Sequence, residues 1–138
     1  PFAALALTGP SPVLTAIAND YGYHEALRRM LIAHLTPTCY VLGISTSGRS
    51  GNVTAAIRTA CLSGAATALL TGVRADATLF DDITPKRKLT IFRAPGTTTQ
   101  EIQEVHQVVL HLLAALIERN LRPEQFQDSE APPWNKEP

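Results

Sequence analysis

Thirteen residues, Val41-Leu42-Gly43-Ile44-Ser45-Thr46-Ser47-Gly48-Arg49-Ser50-Gly51-Asn52-Val53, constrain the fold of this chain more than any other stretch. The apolar run from Cys39 to Ile44 reads as a buried strand. It gives way to four hydroxyl side chains between Ser45 and Ser50, with Gly48 and Gly51 among them. A helical pattern starts at Asn52. Strand, hydroxyl-rich loop and helix start form a receiver for phosphate. The first turn of a helix leaves backbone N–H groups unpaired, and these point at an anion together with the loop hydroxyls. Glycine lets the backbone come close or turn at positive φ. The plain alternative is a strand-to-helix turn with a serine cap, but four hydroxyls in six positions are more than a cap needs.

The remaining chain predicts elements of both kinds. Phe2 to Leu7 is continuously apolar and reads as a short strand covered on both faces. Ser11-Pro12 reads as N-cap and first helical residue. That helix carries Val13, Leu14 and Ile17 and stops near Asn19-Asp20, before a turn at Tyr21-Gly22-Tyr23. His24 to His34 is a second helix, with Leu27, Met30 and Leu31 as its apolar stripe and Arg28-Arg29 on the wet side. After the hydroxyl loop, a helix from Asn52 to Ser63 places Val53, Ala56, Ile57 and Ala60 on one face, and Gly64 closes it. Ala66 to Leu70 and Leu89 to Phe92 are two more strands. Between them Val73 to Lys88 is polar and mixed, with a brief helix at Ala77 to Asp81.

Thr98 and Glu101, three residues apart, fit a capping box at the head of the longest helix, which runs to Glu118 or Asn120. Its apolar residues, from Ile102 through Ile117, cover more than one stripe. This predicts burial on two sides, by the sheet and by a partner subunit. Strands alternating with helices make this an α/β chain with a parallel sheet flanked by helices. Ligands of such sheets sit outside the carboxyl ends of the strands. The hydroxyl loop and Thr71-Gly72 both stand at such ends. Residues 1–120 form one domain. From 121 to 138 the prolines and acidic residues predict a disordered or loosely attached tail, with Trp134 as its one large aromatic.

Charge narrows the partners. The net charge is zero, which removes the electrostatic case for nucleic acid or an anionic membrane. No apolar run is long enough to span a bilayer. Cys39 and Cys61 stand in no metal-ligand spacing and read as small buried hydrophobes of a reducing compartment. The only methionine is Met30, and the chain starts inside an apolar run, so a preceding segment is expected.

Gly43 to Ser50 comes close to the nucleotide P-loop pattern, but Arg49 stands where the lysine belongs. An arginine fork does not replace that point charge. The next strand ends in Thr71 rather than in an Asp that could hold Mg²⁺. The loop instead resembles the phosphosugar loop of the sugar-isomerase (SIS) domain family, in Gly43-Ile44-Ser45-Thr46-Ser47-Gly48 with Ser50 and Asn52-Val53 after it. Within that family the chain resembles the phosphoheptose isomerases, which act on sedoheptulose 7-phosphate. Asn19-Asp20-Tyr21-Gly22-Tyr23, Leu70-Thr71-Gly72 and Ile102-Gln103-Glu104-Val105-His106 through His111 carry this closer resemblance. The order and spacing agree from about Phe2 to Glu118.

The resemblance implies an SIS-type, Rossmann-like three-layer fold and an aldose–ketose isomerase acting on a phosphorylated sugar. It implies that Ser45, Thr46, Ser47 and Ser50 hold the substrate phosphate and that Asn19 and Asp20 contact the sugar. Gln103 and His111 match metal-ligand positions, typically for Zn²⁺. Gln103 is also substrate-facing, and His111 is also the catalytic acid/base. Family members are cytoplasmic and usually tetrameric, with active sites completed by neighbouring subunits. The family also uses an earlier Asn-Gly-Gly loop and a helix with His and Glu four residues apart, that Glu being the other acid/base. This chain has neither, so the expectation is either an upstream segment that carries them or a short form without half of the site, and the missing start methionine favours the first.

Spacing alone puts a condition on any metal. Gln103 and His111 are eight residues apart, about 12 Å of helical rise and about 80° of rotation. Ligand bonds of about 2.1 Å leave the two side chains barely able to share one Zn²⁺, so further ligands must come from elsewhere. His106 faces about 300° round from Gln103, and His24 and His34 read as surface residues. Without the Glu helix, the alternative function is a non-catalytic sugar-phosphate sensor or adaptor. Bacterial proteins that associate with the replication initiator have this fold.

Overall fold

The computed structural model describes residues 3–9, 11–76, 78, 80, 81, 83 and 89–123. The elements in chain order are α1 (Ser11–Tyr21), α2 (Tyr23–Ile32), β1 (Tyr40–Ser45), α3 (Gly51–Leu62), β2 (Ala66–Gly72), β3 (Leu89–Ala94) and α4 (Thr99–Leu121). The strands form a parallel sheet in the order β1-β2-β3. Parallel neighbours need crossover connections; α3 makes the one from β1 to β2.

Alternation along the strands sorts the two faces. Val41 of β1, Leu69 of β2 and Ile91 of β3 point into a core with Ile57 and Cys61 of α3 and Phe80. A second cluster joins Leu31 of α2 to Ala56, Ala60 and Ala65, with Leu7, Leu27 and Leu35 beside it. Gly43 makes the close approach of β1 and α3 possible. A Cβ there would stand 2.7 Å from Ile57 Cδ1 and 3.2 Å from Val53 Cγ1. Helix α4 lies on the opposite face, at the carboxyl end, where Ile102 packs on Gly72. Elsewhere on that face Tyr40, Leu42, Ile44 and Phe92 are exposed large apolar residues, while Leu70 between Ile44 and Phe92 is buried. Parallel sheets normally bury both faces.

The structure corrects the reading of the first residues. Residues 3–6 form no strand, and 7–9 turn back through the bond from Gly9 N to Ala6 O. A strand needs a ladder partner, which this segment does not find among the described residues; Phe2 lies outside them, Leu7 packs on the helical side and Leu5 is exposed. The expected turn at Tyr21-Gly22-Tyr23 narrows to one residue, Gly22 at φ 88°, since both tyrosines are helical. Cys61 is buried, as read, but Cys39 is only half-buried. Its sulfur interacts with the Thr36 hydroxyl and backbone N–H, which hold the thiol below its usual pKa range. Thr78, Phe80 and Asp81 lie in turns rather than in a helix, whereas Ala77 and Leu79 fall outside the described residues. The tail from 124 onward, Trp134 included, also lies outside them.

The predicted capping box is present. The Thr98 hydroxyl accepts from Glu101 N, and the Glu101 carboxylate accepts from Thr98 N. Only Ile102 and His106 of α4 are buried in the single chain; Val108, Leu112, Leu116 and Ile117 are exposed.

Candidate functional site

The site is assembled from strand ends. Register aligns Ser45 of β1 with Thr71 of β2 and Arg93 of β3, so all three stand in one row at the carboxyl edge of the sheet. From Ser45 the chain turns through the hydroxyl loop. Gly48 takes φ 67°, and its N–H donates to Ser45 O at 3.1 Å. Arg49 N donates to Ser47 Oγ at 3.2 Å. Ser45 is buried and donates to Ser50 Oγ at 3.0 Å. Its hydroxyl thus supports Ser50 from beneath, while Ser47 is exposed and Thr46 and Ser50 are half-exposed.

Ser50 is the N-cap of α3, but its hydroxyl makes no capping bond. That leaves the Ser50 proton able to donate outward, because its oxygen already accepts from Ser45. A phosphate offers only acceptors at its anionic oxygens, so donors at the mouth of the loop are what it requires.

The junction of α1 and α2 flanks this loop. His24 Cβ lies 3.9 Å from where a Cβ on Gly51 would stand. His24 is exposed, as expected of a surface residue, yet it borders the loop, a proximity that only the packing of α2 on α3 reveals. Asn19 and Asp20 end α1 and are both exposed, with Asn19 Nδ2 donating to Asp20 Oδ1 at 3.1 Å. Glu25 pairs with Arg28, whose hydrogen bond holds the carboxyl below its usual range.

Charges gather at the ends of β2 and β3. Asp76 accepts from Thr78 N at 2.9 Å and from Thr78 Oγ1 at 2.8 Å. These bonds lower its pKa, and the nearby Arg49 and Arg93 lower it further. Arg93 Nη1 donates to Ala75 O at 3.0 Å. The sequence reading did not single out this group. Arg49, Asp76 and Arg93 are far apart along the chain, and only the strand register brings them together.

On α4, Gln103 and His111 are both exposed. His111 Nε2 stands 3.2 Å from Gln107 Nε2, an amide that donates to an unprotonated ring nitrogen. His106 is different: it is buried, and its Nε2 lies 3.2 Å from Thr71 O. A carbonyl oxygen only accepts, so the proton of that bond sits on Nε2. Among the described residues no cluster of three or more His, Cys, Asp or Glu side chains could hold a metal ion. Gln103 and His111 would supply two donors to a metal ion, and a structural or catalytic zinc takes more than two protein ligands.

The phosphoheptose isomerase of Roseiflexus sp. (strain RS-1) is 42% identical over 118 residues, 86% of this chain and 57% of the relative. That of Shewanella sediminis is 39% identical over 131 residues, 92% of this chain and 63% of the relative. Over the stretch it spans, this chain is similar to the phosphoheptose isomerases. The fold agrees. The structure of phosphoheptose isomerase GmhA from Neisseria gonorrhoeae superposes with a TM-score of 0.73 at 32% identity, over 83% of this chain and 62% of that one. A phosphoheptose isomerase from Francisella tularensis gives 0.78 at 29% identity, over 86% and 61%. No family model matches the chain. As a phosphoheptose isomerase relative, the chain spans only about three fifths of the length of the curated proteins it matches.

Proposed function

We propose that this chain forms the phosphate-anchoring part of a sedoheptulose 7-phosphate isomerase. The observation that carries this reading is the Ser45-to-Ser50 loop, a strand-end turn whose outward hydroxyls are backed by the Ser45–Ser50 bond. Relatives named phosphoheptose isomerase support the isomerase over the sensor or adaptor.

An aldose–ketose isomerisation moves a proton between adjacent carbons through an enediolate. It needs an acid and a base placed at the carbon pair, and stabilisation of the developing oxyanion. Thr46, Ser47 and Ser50 bind the phosphate, with Ser45 behind them. The binding energy of that remote group orients the reacting end of the sugar. Asn19 and Asp20 contact the sugar chain and Gln103 its reacting end. His111 carries the proton, since an imidazole ring nitrogen can both accept and donate one. The second acid/base comes from outside this chain. The same holds for the remaining donors of a zinc ion, of which Gln103 and His111 would supply two. The reading includes a cytoplasmic homo-oligomer, a tetramer, and the exposed apolar residues of α4 support the assembly. It includes no nucleic-acid or membrane partner; among the described residues no helix is long and apolar enough to cross a membrane.

Two measurements test the reading. Calorimetric titration of the 138-residue chain should show binding of sedoheptulose 7-phosphate and none of unphosphorylated sedoheptulose; equal behaviour of the two sugars would overturn phosphate anchoring. Incubation in D₂O with Zn²⁺ supplied, together with the N-terminal part of a relative, should introduce deuterium at the transferred position. Binding without exchange would move the assignment to a sugar-phosphate sensor.

A further inference from the structure

One peptide group, between Thr71 and Gly72, is gripped from both sides. Its carbonyl receives His106 Nε2 of α4 at 3.2 Å. Its N–H donates to Thr46 O, in the hydroxyl loop, at 2.9 Å. A peptide group is planar and stiff, so a tilt that breaks one of these bonds disturbs the other. The two bonds also polarise the same amide in the same sense, which strengthens each.

The surroundings leave little play. Thr71 is 1% exposed and His106 2%. A Cβ at Gly72 would stand 2.7 Å from Thr46 O and 2.7 Å from Ile102 Cδ1, so loop, strand end and helix are in direct contact there. His106 is also costly as a packing residue. Its Nδ1 is buried with no hydrogen-bond partner. A leucine or phenylalanine would bury apolar surface in the same place without an orphaned nitrogen. What the imidazole supplies, and those residues do not, is the single bond to Thr71.

We propose that His106 is a positioning residue. It holds the 71–72 peptide so that Gly72 N–H fixes the Thr46 carbonyl. The hydroxyl loop is thereby set at a defined distance from α4, the helix bearing Gln103 and His111. The inference rests on the phosphate-anchoring reading for its effect on ligand, but the coupling itself is a property of the free protein.

The test compares H106L and H106Q in the 138-residue chain. The glutamine amide nitrogen reaches about as far as Nε2 and can donate to Thr71 O; leucine cannot. The first readout is hydrogen exchange at the Gly72 amide, taken as a ratio to the Ala60 amide in the α3 core. In H106L the ratio should rise about tenfold, the size of one lost hydrogen bond, and affinity for sedoheptulose 7-phosphate should fall about as much. H106Q should hold both within about twofold of the parent. An unchanged exchange ratio in H106L, or an H106Q that behaves like H106L, overturns the proposal. If H106L does not fold, H106N takes its place, since its amide stops short of Thr71 O. Absence of sugar-phosphate binding by the parent chain would instead refute the anchoring reading, and the exchange ratio would still decide the coupling.

Discussion

Ser45 Oγ donates to Ser50 Oγ across 3.0 Å, tying the last residue of β1 to the N-cap of α3. The hydroxyl loop is therefore closed on itself, with the Ser50 proton left to donate outward. Replacing Ser47 and Ser50 together by alanine should weaken sedoheptulose 7-phosphate binding at least about tenfold, since hydrogen bonds to a charged group are worth about 1.5–3 kcal/mol each. Calorimetric titration of the double variant checks this. Unchanged affinity would mean that the phosphate sits elsewhere.

The contact of β1 with α3 has no spare volume at Gly43. A methyl group there would meet Ile57 Cδ1 at 2.7 Å, and Ile57 is 1% exposed within the core. G43A should cost about 1–3 kcal/mol, as overpacked cores do. Urea unfolding followed by circular dichroism measures it. A loss below the error of the fit would show that α3 can move off the sheet freely.

The head of α4 should be acid-sensitive. Backbone N–H groups of Thr97 and Thr98 and the Thr97 hydroxyl hold the Glu101 carboxyl below its usual pKa. A depressed folded pKa contributes stability above the unfolded value, and that contribution disappears as pH falls through the folded value. The Tm difference between the parent chain and E101Q should therefore be largest near neutral pH and shrink as the buffer is acidified below about pH 4. The partner substitution T98A should cost about 1 kcal/mol. A Tm difference independent of pH would remove Glu101 from the cap.

Val108, Leu112 and Leu116 follow one another at four-residue spacing along α4, each more than half exposed. Such a stripe calls for a covering surface. Light scattering should find the chain as an oligomer, and L112E with L116E should shift it to a smaller species while its helix content stays. A parent chain that is monomeric at high concentration would contradict the proposed assembly.

Local chemistry was legible in the sequence. The capping box, the loop glycines and the boundaries of the helices and of β1 to β3 to within one or two residues depend on bonds spanning a few positions, so residue type and spacing are enough to specify them. That the strands run parallel follows from their alternation with helices, whereas their spatial order comes from the structure. Long-range partners were not legible. The apolar run before Leu7 looked like a strand because its composition suits one, but a strand forms only where another offers its edge. The histidines of α4 show the same limit. Apolar residues on that helix cover more than one stripe, so periodicity could not say which side meets the sheet. The contact of Ile102 with Gly72 decides it, burying His106 and leaving His111 exposed. Sequence alone determined that a hydroxyl-rich loop ends the first strand, because that depends on neighbours along the chain. Only the tertiary structure determined that the peptide after Thr71 joins the loop to α4, because its two partners come from segments far apart in sequence.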